Sequence, residues 1–374
     1  MISLISLIAL ISLNGCGDKA GEDGTEILID FNAMHGGAVF ATAAIVGAHN
    51  YDLYWVPVPS VPTTASFEAH ALTNSGGKEW QPSVSRGGNG IAYARDDGIY
   101  FIATSGRIRQ ISHTDGTGFH DSLPAVSFDG SEVAWVRENS KSRIGDSRFF
   151  ETMIMVAPTN GGPAQAVNPR AGVVQDAPAF EPLSGSRRIA WSEFNAQTLG
   201  PQGPIDYGVY VHDRVAATGR YLCKQGDLAH LDGLRAGRSF RCFGQHLTWP
   251  CPEAIVLPQD FIELYLDGSP ATTILPEVVT AAVGNIGDPV LSEPGDGFYP
   301  AFPLSASYAS CTDRFIFDGL LTSPEGEAPT LSLFVAQVDG GGLFTLNVRG
   351  HSADLDTFNT SNYLFSVATP QFVP

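Results

Sequence analysis

Four segments of the chain repeat one pattern: a turn and a proline, a Gly-containing turn, a β-run ending in an aromatic, a second β-run, and a Gly-rich turn. The copies run from Gln81-Pro82-Ser83-Val84-Ser85 to Ile111, from Leu123-Pro124-Ala125-Val126-Ser127 to Val167, from Ala177-Pro178-Ala179-Phe180 to Val211, and from Tyr299-Pro300-Ala301-Phe302 to Val348. A period of this kind constrains architecture more than any single residue, because each copy is one unit that buries its faces only by stacking on its neighbours. The equivalent β-runs are Ile91-Ala92-Tyr93-Ala94, Val133-Ala134-Trp135-Val136, Ile189-Ala190-Trp191-Ser192 and Arg314-Phe315-Ile316-Phe317. They are apolar on nearly every residue, as strands covered on both faces are. A sheet with one wet face would alternate. The expected class is therefore all-β, with four-stranded antiparallel sheets stacked around an axis as a β-propeller.

Spacing sets the expected number of blades. The repeat prolines stand at 82, 124, 178 and 300, in steps of 42, 54 and 122 residues. The last step is long enough for two blades, so a further one is expected from Ser239-Phe240-Arg241-Cys242, with strands at His246–Trp249 and Phe261–Leu266. Strands at Ala38 to Ile45, Tyr51 to Val58 and Phe67 to Leu72 should combine with a C-terminal strand at Tyr363–Val367 into one closing blade. Six blades result, with seven as the alternative, and the joined termini remove open sheet edges. Three segments interrupt the pattern: the basic stretch 140–150, the Pro- and Gly-rich stretch 195–205, and the long low-charge connection 267–296.

The run Ser-Phe-Asp-Gly-Ser-Glu-Val-Ala-Trp-Val at 127–136, followed by Met-Ile-Met-Val-Ala-Pro-Thr-Asn-Gly-Gly at 153–162, resembles the TolB-type β-propeller repeat. The resemblance is strongest from 78 to 213 and fair from 297 to 348; the Ser-x-Asp-Gly element is intact only at 127–130. It implies an envelope interaction module. The first blade begins soon after residue 25, which leaves no room for the N-terminal α/β domain of TolB proteins, so their specific partners do not carry over.

The N-terminus suggests an address. Ile2 to Leu13 is an apolar run too short to span a bilayer, which takes about 20 residues, but it fits the core of a signal peptide. It leads into Leu13-Asn14-Gly15-Cys16, which resembles the lipobox of bacterial lipoproteins. Asn14 and the absence of Lys or Arg before the run depart from that pattern. The resemblance implies cleavage after residue 15 and a lipid on Cys16. Residues 16–25 then read as a lipidated tether and 26–374 as a single propeller domain, on the periplasmic side of the outer membrane or at the cell surface.

Beyond Cys16 the chain has Cys223, Cys242, Cys251 and Cys311. An even number in an exported chain suggests two disulfides, with three possible connectivities. No Cys-x-x-Cys pair occurs, and no His stands at zinc-ligand spacing from these residues, so no metal is expected on them. A net charge of −18 argues against nucleic acid and against polybasic membrane contact, which leaves the lipid as the expected membrane attachment.

No Gly-x-Ser-x-Gly, His-Glu-x-x-His, phosphate loop or dinucleotide fingerprint appears, and no cofactor is expected. His113 and His120, with Asp115 and Asp121, flank one blade junction; Asp96-Asp97 and Asp354-Leu355-Asp356 are short acidic groups. The expectation is a lipid-anchored, non-catalytic propeller that binds an envelope protein. The alternative is an exported carbohydrate lyase or hydrolase with its site at the central pore.

Overall fold

The structure, a computed structural model, describes residues 30–224 apart from short segments between elements, the strands between Arg241 and Arg349, and residues 371–373. Among them are six four-stranded sheets. All six are antiparallel. The second sheet is Glu79–Val84, Gly90–Arg95, Gly98–Ala103 and Ile108–Gln110, in that order. The third is Phe119–Val126, Glu132–Arg143, Phe150–Pro158 and Gln165–Val167, and the fourth Val173–Phe180, Arg188–Asn195, Tyr207–Asp213 and Thr218–Lys224. The fifth comprises Arg241–Phe243, His246–Cys251, Asp260–Tyr265 and Pro270–Ile274. The sixth comprises Pro303–Ala309, Arg314–Leu321, Thr330–Gln337 and Phe344–Thr345.

The first sheet joins the two ends of the chain. Gly37–Ala43, Tyr51–Pro57 and His70–Ala71 are completed by Gln371–Phe372, which pairs with the edge of Gly37–Ala43. The expected C-terminal strand at 363–367 lies outside the described residues, and the pairing is made four residues beyond it. Val348–Arg349, just past the sixth sheet, pairs in parallel with Phe67–Glu68. The leading edge strands lie side by side around a circle: 371–372, 79–84, 119–126, 173–180, 241–243, 303–309 and back to 371–372. This is propeller topology, with these strands innermost.

Burial on both faces explains the unbroken apolar runs. Ala38 and Phe40 pack with Tyr54, Ile316 and Val335 toward the sixth sheet. Val39 and Ala41, on the opposite face of the same strand, pack with Leu53, Ile91 and Tyr93 toward the second. Ala92 and Ala94 then meet Val133, Trp135 and Met155 of the third. Each large aliphatic or aromatic side chain buried in this way contributes about 1.5–3 kcal/mol.

The repeat proline and the repeat aromatic are cross-strand partners. In the second sheet Trp80 pairs with Ala94 and Ser83 with Ala92, so Gln81 and Pro82 together oppose Tyr93. In the third, Leu123 and Pro124 oppose Trp135. In the fourth, Ala177 and Pro178 oppose Trp191. Each is a β-bulge, and proline fits there because the extra residue leaves the hydrogen-bond ladder. The residue before each proline has a positive φ: 55° at Gln81, 52° at Leu123 and 48° at Ala177. That conformation costs an L-residue about 1–2 kcal/mol. The neighbouring blade helps to fix it: Leu123 N donates to Gln81 Oε1 at 2.7 Å and Val126 N to Ser83 Oγ at 3.2 Å.

The Ser-x-Asp-Gly turn also acts between sheets. Asp129 accepts from Ser127 Oγ at 2.8 Å and from Ser131 N at 3.0 Å. These bonds, the Ser131 hydroxyl foremost, hold its carboxyl below the usual range. Gly130 has φ +72°, and a Cβ there would lie 2.7 Å from Asn89 Cβ in the adjacent turn. Phe128 O accepts from both Ser85 Oγ, at 2.7 Å, and Gly87 N, at 2.8 Å.

One expectation needs correction, and another falls outside the described residues. Segment 267–296 is not one connection, because Pro270–Ile274 forms the last strand of the fifth sheet. In the last copy Tyr299-Pro300 lies outside the described residues, and the inner strand with its register shift is Pro303–Ala309.

Ala177→Gly should leave stability within about 0.5 kcal/mol of wild type, because relief of the left-handed strain offsets the added chain entropy. Ala179→Gly, in the same strand without a positive φ, should cost about 1 kcal/mol or more. Urea denaturation of the two variants checks the contrast.

Candidate functional site

The bulges position a polar layer at one end of the sheets. Three residues before the repeat prolines stand Glu79, Asp121 and Gln175, each no more than 1% exposed. Two residues after the repeat aromatics stand Arg95, Arg137 and Glu193. The two sets are register partners: Glu79 with Arg95, Asp121 with Arg137, and Gln175 with Glu193. They lie at the end where second strands leave for third strands and fourth strands lead into the next sheet.

Between the second and third sheets the pair is closed. Arg137 Nε and Nη2 donate to the two oxygens of Asp121 at 2.8 and 2.7 Å. The Asp121 side chain is fully buried and that of Arg137 is 18% exposed. The His120 ring lies against Trp80, with centroids 6.4 Å apart.

Between the third and fourth sheets Glu193 is the hub. It accepts from Trp191 Nε1 at 3.0 Å, and from Arg170 and the Tyr221 hydroxyl. The Arg170 guanidinium lies over the rings of Tyr210 and Tyr221, 5.3 and 5.7 Å from their centroids. Burial, then the bond to Glu193, push the Tyr221 hydroxyl up to about 12. Gln175 accepts from Ile154 N at 3.3 Å and donates to Asn168 O at 3.1 Å, linking the sheets through neutral groups.

Between the first and second sheets the pair is open. Arg95 gives Nε and Nη2 to Asp97, each at 2.7 Å, and lies over the Tyr100 ring at 4.1 Å. Tyr100 also donates to Asp97, at 2.8 Å. The Arg95 bond, foremost, holds the Asp97 carboxyl below its ordinary range. Glu79 Oε2 is buried with no hydrogen-bond partner. Desolvation is the main reason that its carboxyl is pushed up to about 7; Thr73 and Ser75 oppose the rise, and Asp52 adds to it. Trp135 Nε1 is likewise buried without a partner. Its equivalent Trp191 bonds to Glu193, where the third sheet has Arg137, which cannot accept.

The residues singled out by sequence fall elsewhere. Cys16 and Cys311 lie outside the described residues. Cys223, Cys242 and Cys251 are on the strands Thr218–Lys224, Arg241–Phe243 and His246–Cys251, and their side chains are outside the described set. His113 Nδ1 meets Gln110 Nε2 at 3.2 Å, while Asp121 is held by Arg137, so these two do not act as one group. Asp97 is engaged by Arg95, and Asp354 and Asp356 lie outside the described residues. Among the described residues no cluster of three or more His, Cys, Asp or Glu is placed to hold a metal ion. Sequence reading missed Glu79, Arg95, Arg137, Glu193, Arg170 and Tyr221. Aligning the repeats on their prolines and aromatics would have placed Glu79 with Asp121 and Gln175, and Arg95, Arg137 and Glu193 with one another.

Arg137→Met should destabilise the fold by about 3 kcal/mol or more, since it leaves the Asp121 carboxylate buried and unpaired. Arg214→Met, which breaks the partly exposed pair with Glu132, should cost less than about 1 kcal/mol by the same urea titration. Glu79 holds its proton to about pH 7 in the folded chain against an ordinary 4.5, so its contribution to stability is complete below 4.5 and is lost as pH rises through 7. Glu79→Gln should therefore match wild type near about pH 4 and exceed it by up to about 3 kcal/mol near about pH 8.

By sequence, the chain matches no protein-family profile and no curated protein. Among solved structures, TolB from Acinetobacter baumannii superposes with a TM-score of 0.53 at 13% identity, over 94% of this chain and 69% of that one. A putative TolB from Agrobacterium tumefaciens gives 0.49 at 12% identity, over 83% and 88%. An oligogalacturonate lyase in complex with manganese gives 0.46 at 9% identity, over 79% and 70%. Identities this low speak to fold alone, and the fold of this chain is a TolB-like β-propeller.

Proposed function

We propose that the chain is a lipid-anchored, non-catalytic propeller that binds a protein partner in the bacterial envelope. In this reading residues 1–15 are a signal peptide, Cys16 carries the lipid, 16–25 tether the domain, and the six described sheets are the blades of one domain over 26–374. Cys223, Cys242, Cys251 and Cys311 form two disulfides. The protein sits on the periplasmic side of the outer membrane or at the cell surface.

The observation that carries the binding role is that, Glu79 Oε2 and Trp135 Nε1 apart, the polar layer is closed on itself. Asp121 with Arg137, Glu193 with Arg170 and Tyr221, and Asp97 with Arg95 and Tyr100 satisfy one another within the seams. General acid or base work needs a group within hydrogen-bond reach of a bound substrate. Side chains tied this way make a rigid end of the sheets. At this end second strands are joined to third strands through residues 44–50, 144–149, 196–206, 252–259 and 322–329. One of these contains the small hairpin of Leu199–Gly200 with Gly203–Pro204. Long connections on a rigid scaffold are where binding residues concentrate.

Metabolic labelling with an alkyne fatty acid should mark the wild-type chain and leave Cys16→Ala unlabelled; label persisting in the variant would remove the anchor. Cross-linking in intact cells should join the chain to one stoichiometric partner, and replacing 196–206 by a short turn should abolish that product while the thermal midpoint is kept. Cross-linking unaltered by replacement of any of these connections would overturn the assignment of the binding face.

A further inference from the structure

In the second sheet one guanidinium stands between two carboxylates. Glu79 and Arg95 are register partners, as Asp121 and Arg137 are in the third sheet. There the pair closes with two bonds of 2.7–2.8 Å, so this backbone geometry brings an arginine within reach of the acid opposite it. The two sheets diverge just past the arginine. Two residues after Arg137 stands Asn139, and the strand runs on to Arg143. Two residues after Arg95 stands Asp97, in a turn of only Asp96 and Asp97 before the next strand. Asp97 takes the guanidinium, and Glu79 Oε2 is left buried without a partner.

We propose that Arg95 is a proton-operated switch: it clamps Asp97 while Glu79 carries a proton, and turns to Glu79 when that proton is lost.

An ionised carboxylate with an orphan buried oxygen is costly, whereas a protonated one is tolerated. The elements packed against Glu79 sharpen this. The strands Gly37–Ala43 and Gln371–Phe372 bring no titratable side chain. Tyr51–Pro57 brings Asp52, whose negative charge opposes ionisation, with Tyr51 and Tyr54. Gly90–Arg95 brings Tyr93 and Arg95, and Phe119–Val126 brings His120 and Asp121, the latter already held by Arg137. Arg95 is therefore the one cation among these groups that stays charged across the neutral range and lies opposite Glu79 in register. When pH rises, the proton leaves to solvent and the guanidinium keeps its charge while exchanging one carboxylate for another. Asp97 and Tyr100 then lose their clamp. Asp97 O accepts from Thr114 N at 2.9 Å and from Gln110 Nε2 at 3.3 Å, so loosening this turn reaches the strand-to-sheet connection at 110–114. The end of the propeller that bears the long connections becomes looser and exposes one more carboxylate.

Hydrogen–deuterium exchange of the full chain reads the turn directly. In wild type, protection of the peptide covering Arg95–Ala103, corrected for intrinsic exchange, should fall several-fold between about pH 5.5 and about pH 8.5. Glu79→Gln should remain protected throughout. Asp97→Asn should show low protection at every pH, with no step. Constant protection in wild type, or a step of wild-type size in Glu79→Gln, would refute the switch. If Glu79→Gln does not fold, a wild-type step in Asp97→Asn refutes it equally.

Discussion

The bulge that sets a proline opposite an aromatic governs how each inner strand serves two seams at once. A regular strand sends alternate residues to alternate faces, so Glu79, Gln81 and Ser83 would share one side. The extra residue at Gln81-Pro82 resets that alternation. Glu79, paired with Arg95, then faces the first sheet, while Ser83, paired with Ala92, faces the third and accepts from Val126 N. The same reset sends Asp121 toward the second sheet and Ala125, paired with Ala134, toward the fourth. Tyr93, Trp135 and Trp191, at most 1% exposed, fill the space opposite the bulge. Three left-handed residues are the cost, and burial of three large rings offsets it.

The polar layer derives from this geometry. Once the bulge has turned the residue three before the proline into a seam, that residue must find a partner or stay neutral. The three seams solve the problem differently: Asp121 takes an arginine from its own sheet, Gln175 is neutral and bonds to backbone, and Glu79 is driven toward its protonated form. Glu193, across from Gln175, recruits Arg170 from the connection entering its sheet and Tyr221 from the outer strand. These contacts tie inner, outer and connecting segments together at the end that carries the long loops.

Much of the architecture was legible in the sequence. Unbroken apolar runs with regular prolines required sheets covered on both faces, and the strands at His246–Cys251 and Asp260–Tyr265 appear where spacing demanded another unit. The bulges were not legible, because Gln, Leu and Ala do not announce a positive φ as Gly or Asn would. Pro270–Ile274 escaped notice because Pro-Ala-Thr-Thr-Ile carries little apolar signal, and its place is set by pairing with the strand before it. The polar layer went unread because its members change identity from copy to copy. That Glu, Asp and Gln of one set face Arg, Arg and Glu of the other shows only once register is known. The cysteines beyond Cys16, prominent in the sequence, have side chains outside the described set.

The first sheet receives its innermost strand from the last few residues of the chain: Val373 N bonds to Gly37 O and Gly36 N to Val373 O. Until those residues are made, Gly37–Ala43 presents an apolar, unpaired edge to whatever surrounds it. Synthesis runs from the N-terminus, so this edge exists from the making of Gly37–Ala43 until residues 371–373 follow. The ring closes only when residues 371–373 arrive, through a loop of more than three hundred residues whose closure entropy grows only with the logarithm of its length. Circularity thus makes the first sheet the fastening of the ring: opening the pairs of Gln371–Phe372 with Ala38 and Val39 would free an inner-strand neighbour of both Glu79–Val84 and Pro303–Ala309 at once.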